Sequence, residues 1–460
     1  MDAEACYRAV QGRDARFAGR FFLAVRTTRI YCRPGCPARL PRRENVEFYP
    51  SAAAAEGAGF RACLRCRPDA APGSPAQAGT AATLSRALRL LEESGEAHGL
   101  AARLGVTDRH LRRLFARHLG ATPAAVLRTR RLHLARQFLE TSTLPMLEVA
   151  ESAGFRSLRR FNEAVKRGFG RTPSALRKVA TPPASGGGRV AQTPTLSLRL
   201  PFHAPLDFEA LLGFFSARAL PGIEEVEGGS WRRTLREGVL SVRRGGEGNL
   251  NVEMPAAAAP QALQLLARVQ RVFDLRADPR AIHEHLSRDA GLRPLLRQGL
   301  RVPGAWDGFE MAVRAILGQQ ITVQRARALA DQLVDAHGER LPHGRLFPTP
   351  AALAEVELRG MPGVRARAIA GLAKAVRDGH LRLDGALQLD ATCAALCALP
   401  GIGDWTAQLI ALRALGEPDA FPAADLGLCH ALSLTPRDLL ARAEAWRPWR
   451  AYAAAAIWLA

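Results

Sequence analysis

Apolar and polar positions alternate in two different periods along this chain. From Thr195 to Leu200 the run Thr-Leu-Ser-Leu-Arg-Leu alternates strictly, which predicts a strand with one buried face. Further strands are expected at Ser230–Arg236, Val239–Arg243 and Asn249–Glu253, with helices at Asp207–Ala217 and Pro260–Phe273. That mixture predicts a small antiparallel α+β subdomain. From Trp306 onward the period is nearly all helical.

The helical period returns twice in an internal repeat between residues 100 and 173. Arg109-His110-Leu111 through Gly120-Ala121-Thr122-Pro123 aligns without a gap onto Arg159-Arg160-Phe161 through Gly170-Arg171-Thr172-Pro173. Leu111, Leu114 and Phe115 in one copy, and Phe161, Ala164 and Val165 in the other, share a helix face. Each copy follows a short helix and a glycine turn, Leu100 to Leu104 then Gly105, and Leu147 to Ala153 then Gly154. Thr107 and Ser157 are expected N-caps. Two helix-turn-helix units follow, each offering its second helix to a major groove, and the unit resembles the AraC-type DNA-binding domain. A plain helical bundle is the simpler alternative. The positions expected to be exposed argue against it: Arg109, Arg112, Arg113 and Arg117, then Arg156, Arg159, Arg160 and Lys166. Stretches rich in Ala, Pro, Gly and Ser, Ala70–Ala82 and Thr181–Gly188, read as linkers.

Composition narrows the partner. At 460 residues the chain needs several domains. Its net charge of +21 points to a polyanion. A basic membrane-surface protein is the competing class, but no amphipathic anchor, lipidation motif or spanning run is present. Nearly all the positive charge is arginine, the only lysines being Lys166, Lys178 and Lys374. Residues 1–17 lack the apolar core of a signal peptide, so a cytoplasmic protein with reduced cysteines is expected.

Cys32-x3-Cys36 and Cys63-x2-Cys66 have the spacing of a four-thiolate zinc site. By spacing alone a structural zinc ribbon is the simpler reading. The surrounding runs Arg26–Pro34, Arg43–Tyr49 and Gly59–Cys63 resemble the N-terminal domain of the Ada methylated-DNA sensors. That resemblance implies that all four cysteines bind Zn²⁺, and that Cys32 takes a methyl group from a DNA methylphosphotriester, once and irreversibly. It also implies DNA-backbone contacts at Thr28, Arg39 and Arg61, and Pro37 departs from the pattern at one phosphate contact. Methylation removes one negative charge from the cluster, so affinity for DNA is expected to rise. Cys393 and Cys397 share a helix face and are expected in the core.

Near the C-terminus, Leu399-Pro400-Gly401-Ile402-Gly403-Asp404-Trp405 reads as the hairpin between two helices. Gly401 and Gly403 leave backbone N–H groups bare for a phosphate. With Leu211–Phe214, Ala315–Gln319, Phe347–Pro350, Phe421–Asp425 and Trp446–Arg450, the half from about Thr195 resembles the AlkA-type helix-hairpin-helix glycosylases, which excise 3-methyladenine from DNA. The resemblance implies Asp425 as the catalytic carboxylate. Taken alone, Asp425 also reads as an N-cap, and Asp404 is its nearest rival. Phe214, Trp405 and Trp458 are implied base-pocket aromatics, with core packing as the bland alternative. Gln320 is implied at the position that fills the gap left by a flipped base. Leu409 and Leu426 replace tyrosines of the best-known relative. Trp405 stands where strand-nicking relatives carry a lysine, so base release without nicking is expected.

The expected architecture is multidomain and mainly α. It comprises a zinc domain over 1–72, a double helix-turn-helix over 80–180, an α+β subdomain over 193–302 and an all-α glycosylase domain over 303–460. The expected function is an alkylated-base glycosylase fused to a methylation sensor and transcriptional activator. No organic cofactor is expected. Its partners are alkylated and promoter double-stranded DNA and RNA polymerase, with no membrane, and the chain is expected to be a monomer. The rival is a methylation-switched regulator whose glycosylase half only binds DNA.

Overall fold

The computed structural model describes residues 3–11, 21–34, 36, 38–63, 66, 81–177, 194–246, 248–385 and 389–460. Pro37 and most of both expected linkers lie outside these residues. The chain forms two compact units, Met1–Phe202 with Asn249–Ala267, and His203–Gly248 with Arg268–Ala460.

The first unit opens with helix α1 (Ala3–Gln11) and a four-stranded sheet in the order β3-β1-β2-β4. Its strands are β1 (Phe22–Val25), β2 (Ile30–Cys32), β3 (Val46–Tyr49) and β4 (Arg61–Ala62), with α2 (Ala52–Gly57) before β4. β1 runs antiparallel to β2 and β3, whereas β2 and β4 are parallel, with Tyr31 opposite Ala62. That register places Tyr31 and Ala62 side by side, so the residues that follow them, Cys32 and Cys63, converge. Phe21, Leu23, Val46 and Cys6 form the core beneath them.

Seven helices follow: α3 (Ala81–Ser94), α4 (Leu100–Arg103), α5 (Asp108–Leu119), α6 (Pro123–Thr141), α7 (Met146–Ser152), α8 (Leu158–Phe169) and α9 (Pro173–Leu176). α5 and α8 are the two expected recognition helices. Thr107 and Ser157 cap them by accepting the N–H groups of His110 and Arg160. Gly120 and Gly170 end them in left-handed backbone. Leu111, Leu114, Phe115, Phe161 and Val165 are buried. All eight basic residues singled out on these helices and their turns are exposed. The long α6 is the spine between the two copies. β5 (Thr195–Pro201) and β9 (Asn249–Pro255) complete this unit as an antiparallel pair, with Leu198 opposite Val252. The Gln137 side chain on α6 accepts the Arg199 N–H of β5 at 2.9 Å.

In the second unit α10 (Phe208–Ser216) precedes an antiparallel meander of β6 (Glu224–Glu227), β7 (Ser230–Leu235) and β8 (Gly238–Arg244). α11 (Ala262–Val272) contributes to both units, and α12 (Pro279–Leu286) to the second. The helical body contains α13 (Gly308–Leu317), α14 (Val323–His337), α15 (Pro350–Ala354), α16 (Gly363–Arg377), α17 (Leu389–Cys397), α18 (Asp404–Arg413), α19 (Leu426–Leu432), α20 (Pro436–Ala443) and α21 (Arg450–Trp458). A short hairpin of β10 (Glu339–Leu341) and β11 (Gly344–Leu346) interrupts the expected run of helices. α21 lies in the core, with Ala453 to Ala456 fully buried. Small side chains let neighbouring helices approach it closely. Arg233 and Arg314 pair with buried Glu310, Arg314 also with Glu224. Cys393 is buried as expected, but Cys397 is exposed, because it sits on the last turn of α17 where the helix leaves the core. Among the described residues no helix is long and apolar enough to cross a membrane.

Candidate functional site

The hairpin between α17 and α18 has the shape its glycines require. Gly401 adopts φ +85°, and a Cβ there would stand 2.8 Å from the Ala368 Cβ. Ile402 is buried as the anchor between them. Gly403 is the N-cap of α18, and it brings no side chain to the first N–H groups of that helix. Asp404 lies in the first turn, exposed, and accepts from the Gln408 amide at 3.5 Å. The loop after α13 is tied to the hairpin by Gln319. Its amide donates to Gly401 O at 2.9 Å and to Thr406 Oγ1 at 3.0 Å. Next to it Gln320 is exposed in left-handed backbone, φ +55°. Arg365 donates to the Gln319 carbonyl. Gln319 closes the run Ala315–Gln319 noted in the sequence, whereas Arg365 carries no sequence signal of its own, because its contact spans a long separation.

Asp425 is the N-cap that the sequence allowed, and it also faces a cavity. It caps α19, its Oδ1 accepting the Leu428 N–H at 3.1 Å. It also accepts the Trp405 indole N–H at 3.2 Å on Oδ2 and the Trp458 indole N–H at 3.4 Å on Oδ1. Three donors from three helices hold one carboxylate in place. The three residues line a cavity of about 220 Å³ together with Phe214, Arg218, Leu409 and Arg413. Leu426 is 68% exposed, one residue beyond Asp425.

Phe214 reaches this cavity, but its ring is covered. The Arg218 guanidinium lies 3.7 Å from the ring centroid and that of Arg413 4.9 Å. A base stacking on Phe214 therefore competes with a cation–π contact already made. Burial pulls Arg218 down to about 10, helped by Arg314 and opposed by Asp425. Burial also pulls Arg413 down to about 9, with repulsion from Arg218 and Arg314. Its guanidinium is held by the carbonyls of Pro303 and Gly304. Neither arginine was singled out from the sequence. Arg218 lies just past the end of α10, and no sequence pattern marks either arginine.

In the first unit the sulfurs of Cys32, Cys36, Cys63 and Cys66 all lie within 4.8 Å of one another, and none is in a disulfide. A tetrahedral ion with Zn–S bonds of about 2.3 Å needs sulfurs roughly 3.8 Å apart, so this set closes on such an ion with little movement. Hydrogen bonds from Cys36, Cys63 and Cys66, with burial, push the Cys32 thiol well up. Four crowded thiols of this kind ionise together only around a cation. Donor type, number and spacing thus fit a zinc site. Thr28 and Arg39 are exposed. Arg61 is half-buried beside Gly170, its Nη1 2.0 Å from where a Cβ on that glycine would stand.

Three family models match the chain in sequence. Residues 5–69 match the metal binding domain of Ada, 100–179 a helix-turn-helix domain, and 197–307 the AlkA N-terminal domain. A probable bifunctional transcriptional activator/DNA repair enzyme AlkA from Mycobacterium tuberculosis is 43% identical, over 99% of this chain and 96% of that protein. DNA-3-methyladenine glycosylase 2 of Escherichia coli is 35% identical over 56% of this chain and 95% of its own length. The bifunctional transcriptional activator/DNA repair enzyme Ada of Escherichia coli is 40% identical over 32% of this chain and 42% of its own.

Proposed function

From the premise that the chain belongs to the family of bifunctional AlkA transcriptional activators and DNA repair enzymes, we propose how its two units divide the work. It is a DNA glycosylase acting on alkylated bases, fused to an Ada-like zinc and regulatory module. The bases it releases are 3-methyladenine and similar lesions. The observation that carries the assignment is the Asp425 carboxylate, fixed at the pocket by two indole N–H groups and a backbone N–H.

The base is flipped into the cavity, with Gln320 at the vacated stack and the hairpin N–H groups on a phosphate. The C1′–N bond breaks and the base leaves with the electron pair. Asp425 faces the positive charge that develops on the sugar. Water adds at C1′ and its proton passes to solvent, leaving an abasic site. With Trp405 in place of a lysine, no Schiff base forms and the strand is not nicked. Trp405 and Trp458 fix the carboxylate and line the pocket.

In the sensor unit Cys36, Cys63 and Cys66 would hold zinc with Cys32, and zinc when bound keeps all four sulfurs as thiolates at neutral pH. The Cys32 sulfur attacks the methyl carbon of a methylphosphotriester. The carbon–oxygen bond breaks, a phosphodiester anion leaves, and Cys32 becomes a thioether in a single turnover. Thr28, Arg39 and Arg61 are the proposed backbone contacts. The cluster then carries one negative charge fewer, and α5 and α8 hold the protein on promoter DNA, where it recruits RNA polymerase. The protein acts as a cytoplasmic monomer.

The test is release of methylated bases from alkylated duplex DNA by the zinc-loaded protein beside Asp425→Asn. Free 3-methyladenine from the wild type, its loss in the variant and an unbroken strand support the assignment. No release from folded wild type overturns it and leaves a methylation-switched regulator.

A further inference from the structure

We propose that the methyl-acceptor cysteine is positioned from the helix-turn-helix module, by a buried clamp of Glu56, Thr129 and His133 on Tyr31. The inference rests on the reading of Cys32 as the acceptor.

Tyr31 is the residue before Cys32 on β2. Strand alternation sends the two side chains to opposite faces, Cys32 to the sulfur cluster and Tyr31 away from it. The backbone of Tyr31 also joins the two cysteine pairs, because its carbonyl accepts the Cys63 N–H at 3.0 Å. Its side chain is fully buried. The hydroxyl donates to Glu56 Oε1 on α2 at 2.9 Å and meets His133 Nε2 on α6 at 3.3 Å. A phenol that donates to Glu56 accepts from His133, which sets the imidazole proton on Nε2. The other oxygen of Glu56 accepts the Thr129 hydroxyl at 2.5 Å. Thr129 and His133 are one turn apart on α6 and grip the carboxylate and the phenol from the same face.

The same face of α6 holds the second recognition helix. The His133 ring meets Phe169, the last residue of α8, edge-on at 5.8 Å, and Arg136 lies over that ring at 5.4 Å. Gly168 leaves room for Leu132, whose Cδ2 stands 2.3 Å from where a Cβ would be. Arg61, paired with Ile30 across the β2–β4 ladder, packs against Gly170 at the end of α8. An unbroken path of contacts thus runs from Cys32 through Tyr31, Glu56 and His133 to α8. An apolar joint would hold the modules together with less angular definition. A polar joint with each donor aimed at one acceptor fixes an angle as well. The function of the clamp is to set the distance and orientation between the phosphate presented to Cys32 and the bases presented to α8.

The experiment compares the full-length, zinc-loaded wild type with His133→Leu, Thr129→Val and the conservative His133→Gln. Methyl uptake at Cys32 is followed by mass spectrometry with two donors. One is a synthetic duplex carrying a single methylphosphotriester, and the other is methyl iodide, which needs no DNA register. The clamp predicts that His133→Leu and Thr129→Val slow uptake from the duplex about tenfold, as small misplacements of reacting groups do. Uptake from methyl iodide and base release should stay at wild-type rates, and His133→Gln should recover most of the duplex rate. Wild-type rates with the duplex in both variants overturn the clamp. An equal fall with both donors also overturns it, since the variants then damage the sulfur cluster itself. A wild type that takes methyl from methyl iodide but never from the duplex removes the acceptor reading, and the clamp falls with it.

Discussion

At Asp425 a backbone N–H and two indole N–H groups share one carboxylate, and substitutions separate its capping from its proposed catalytic role. Asparagine caps a helix as well as aspartate, so Asp425→Asn is expected to keep the melting temperature near wild type. Base release should fall about 10²- to 10³-fold, the usual cost of losing one charge-stabilising group. Asp425→Ala should lose activity and about 1 kcal/mol of stability together. A second residue gives a pH signature. Burial pushes the Asp274 carboxyl up to about 6, opposed by Arg301, the Tyr452 hydroxyl and the Val302 N–H. The native state then holds a proton that the unfolded chain, with an ordinary carboxyl near about 4, has released. Stability is therefore expected to fall as pH rises from about 4 to about 6, and denaturant titration should show that slope reduced in Asp274→Asn. At this scale the four cysteines and Asp425 were legible because spacing and family motifs mark them. Arg218 and Arg413 were not, since arginine carries most of the charge everywhere and only burial against Phe214 sets these two apart.

The elements follow the periodicity where one face is buried and lose it where none is. Both copies of the repeat appear as read, with Thr107 and Ser157 as caps and the marked arginines outward. β6 was missed because three of its four residues are glutamates and both its faces stay largely exposed or half-buried. The β10–β11 hairpin was missed for a related reason, being three residues a side with no fully buried position. The hairpin at Gly401 was legible from its glycines. A side chain there meets the Ala368 Cβ and a left-handed backbone. Gly401→Ala is expected to cost at least about 1 kcal/mol and to weaken binding to undamaged duplex, measured by thermal unfolding and fluorescence anisotropy.

Across the whole molecule, composition and charge foresaw several DNA-directed modules. The subdomain expected over 193–302 nearly coincides with the stretch 197–307 that matches the AlkA N-terminal domain, while the compact units divide that stretch between them. β5 and β9 group with the sensor and helix-turn-helix residues, and His203–Gly248 groups with the helical body. Linear reading places a boundary where composition changes. Pairing of β5 with a strand some fifty residues later depends on contacts that no local pattern records. The glycosylase activity and the proposed methyl transfer draw on different residues. Removing the metal with a strong chelator should abolish methyl uptake at Cys32 and loosen the small sheet, whose core includes three of the sulfurs. Base release, which uses no metal ligand, should persist, and assaying both reactions on one chelated sample checks it.

The indole bonds to Asp425 give the site an optical voice. Of six tryptophans in the chain, Trp405 and Trp458 point their N–H groups at the carboxylate and line the cavity. Indole emission shifts with the polarity around the ring and is quenched by stacking on a nucleobase. Entry of a flipped base should therefore dim and shift the protein's own ultraviolet emission before any bond is cut. A stopped-flow trace of the unlabelled protein would then time flipping and bond cleavage as separate events.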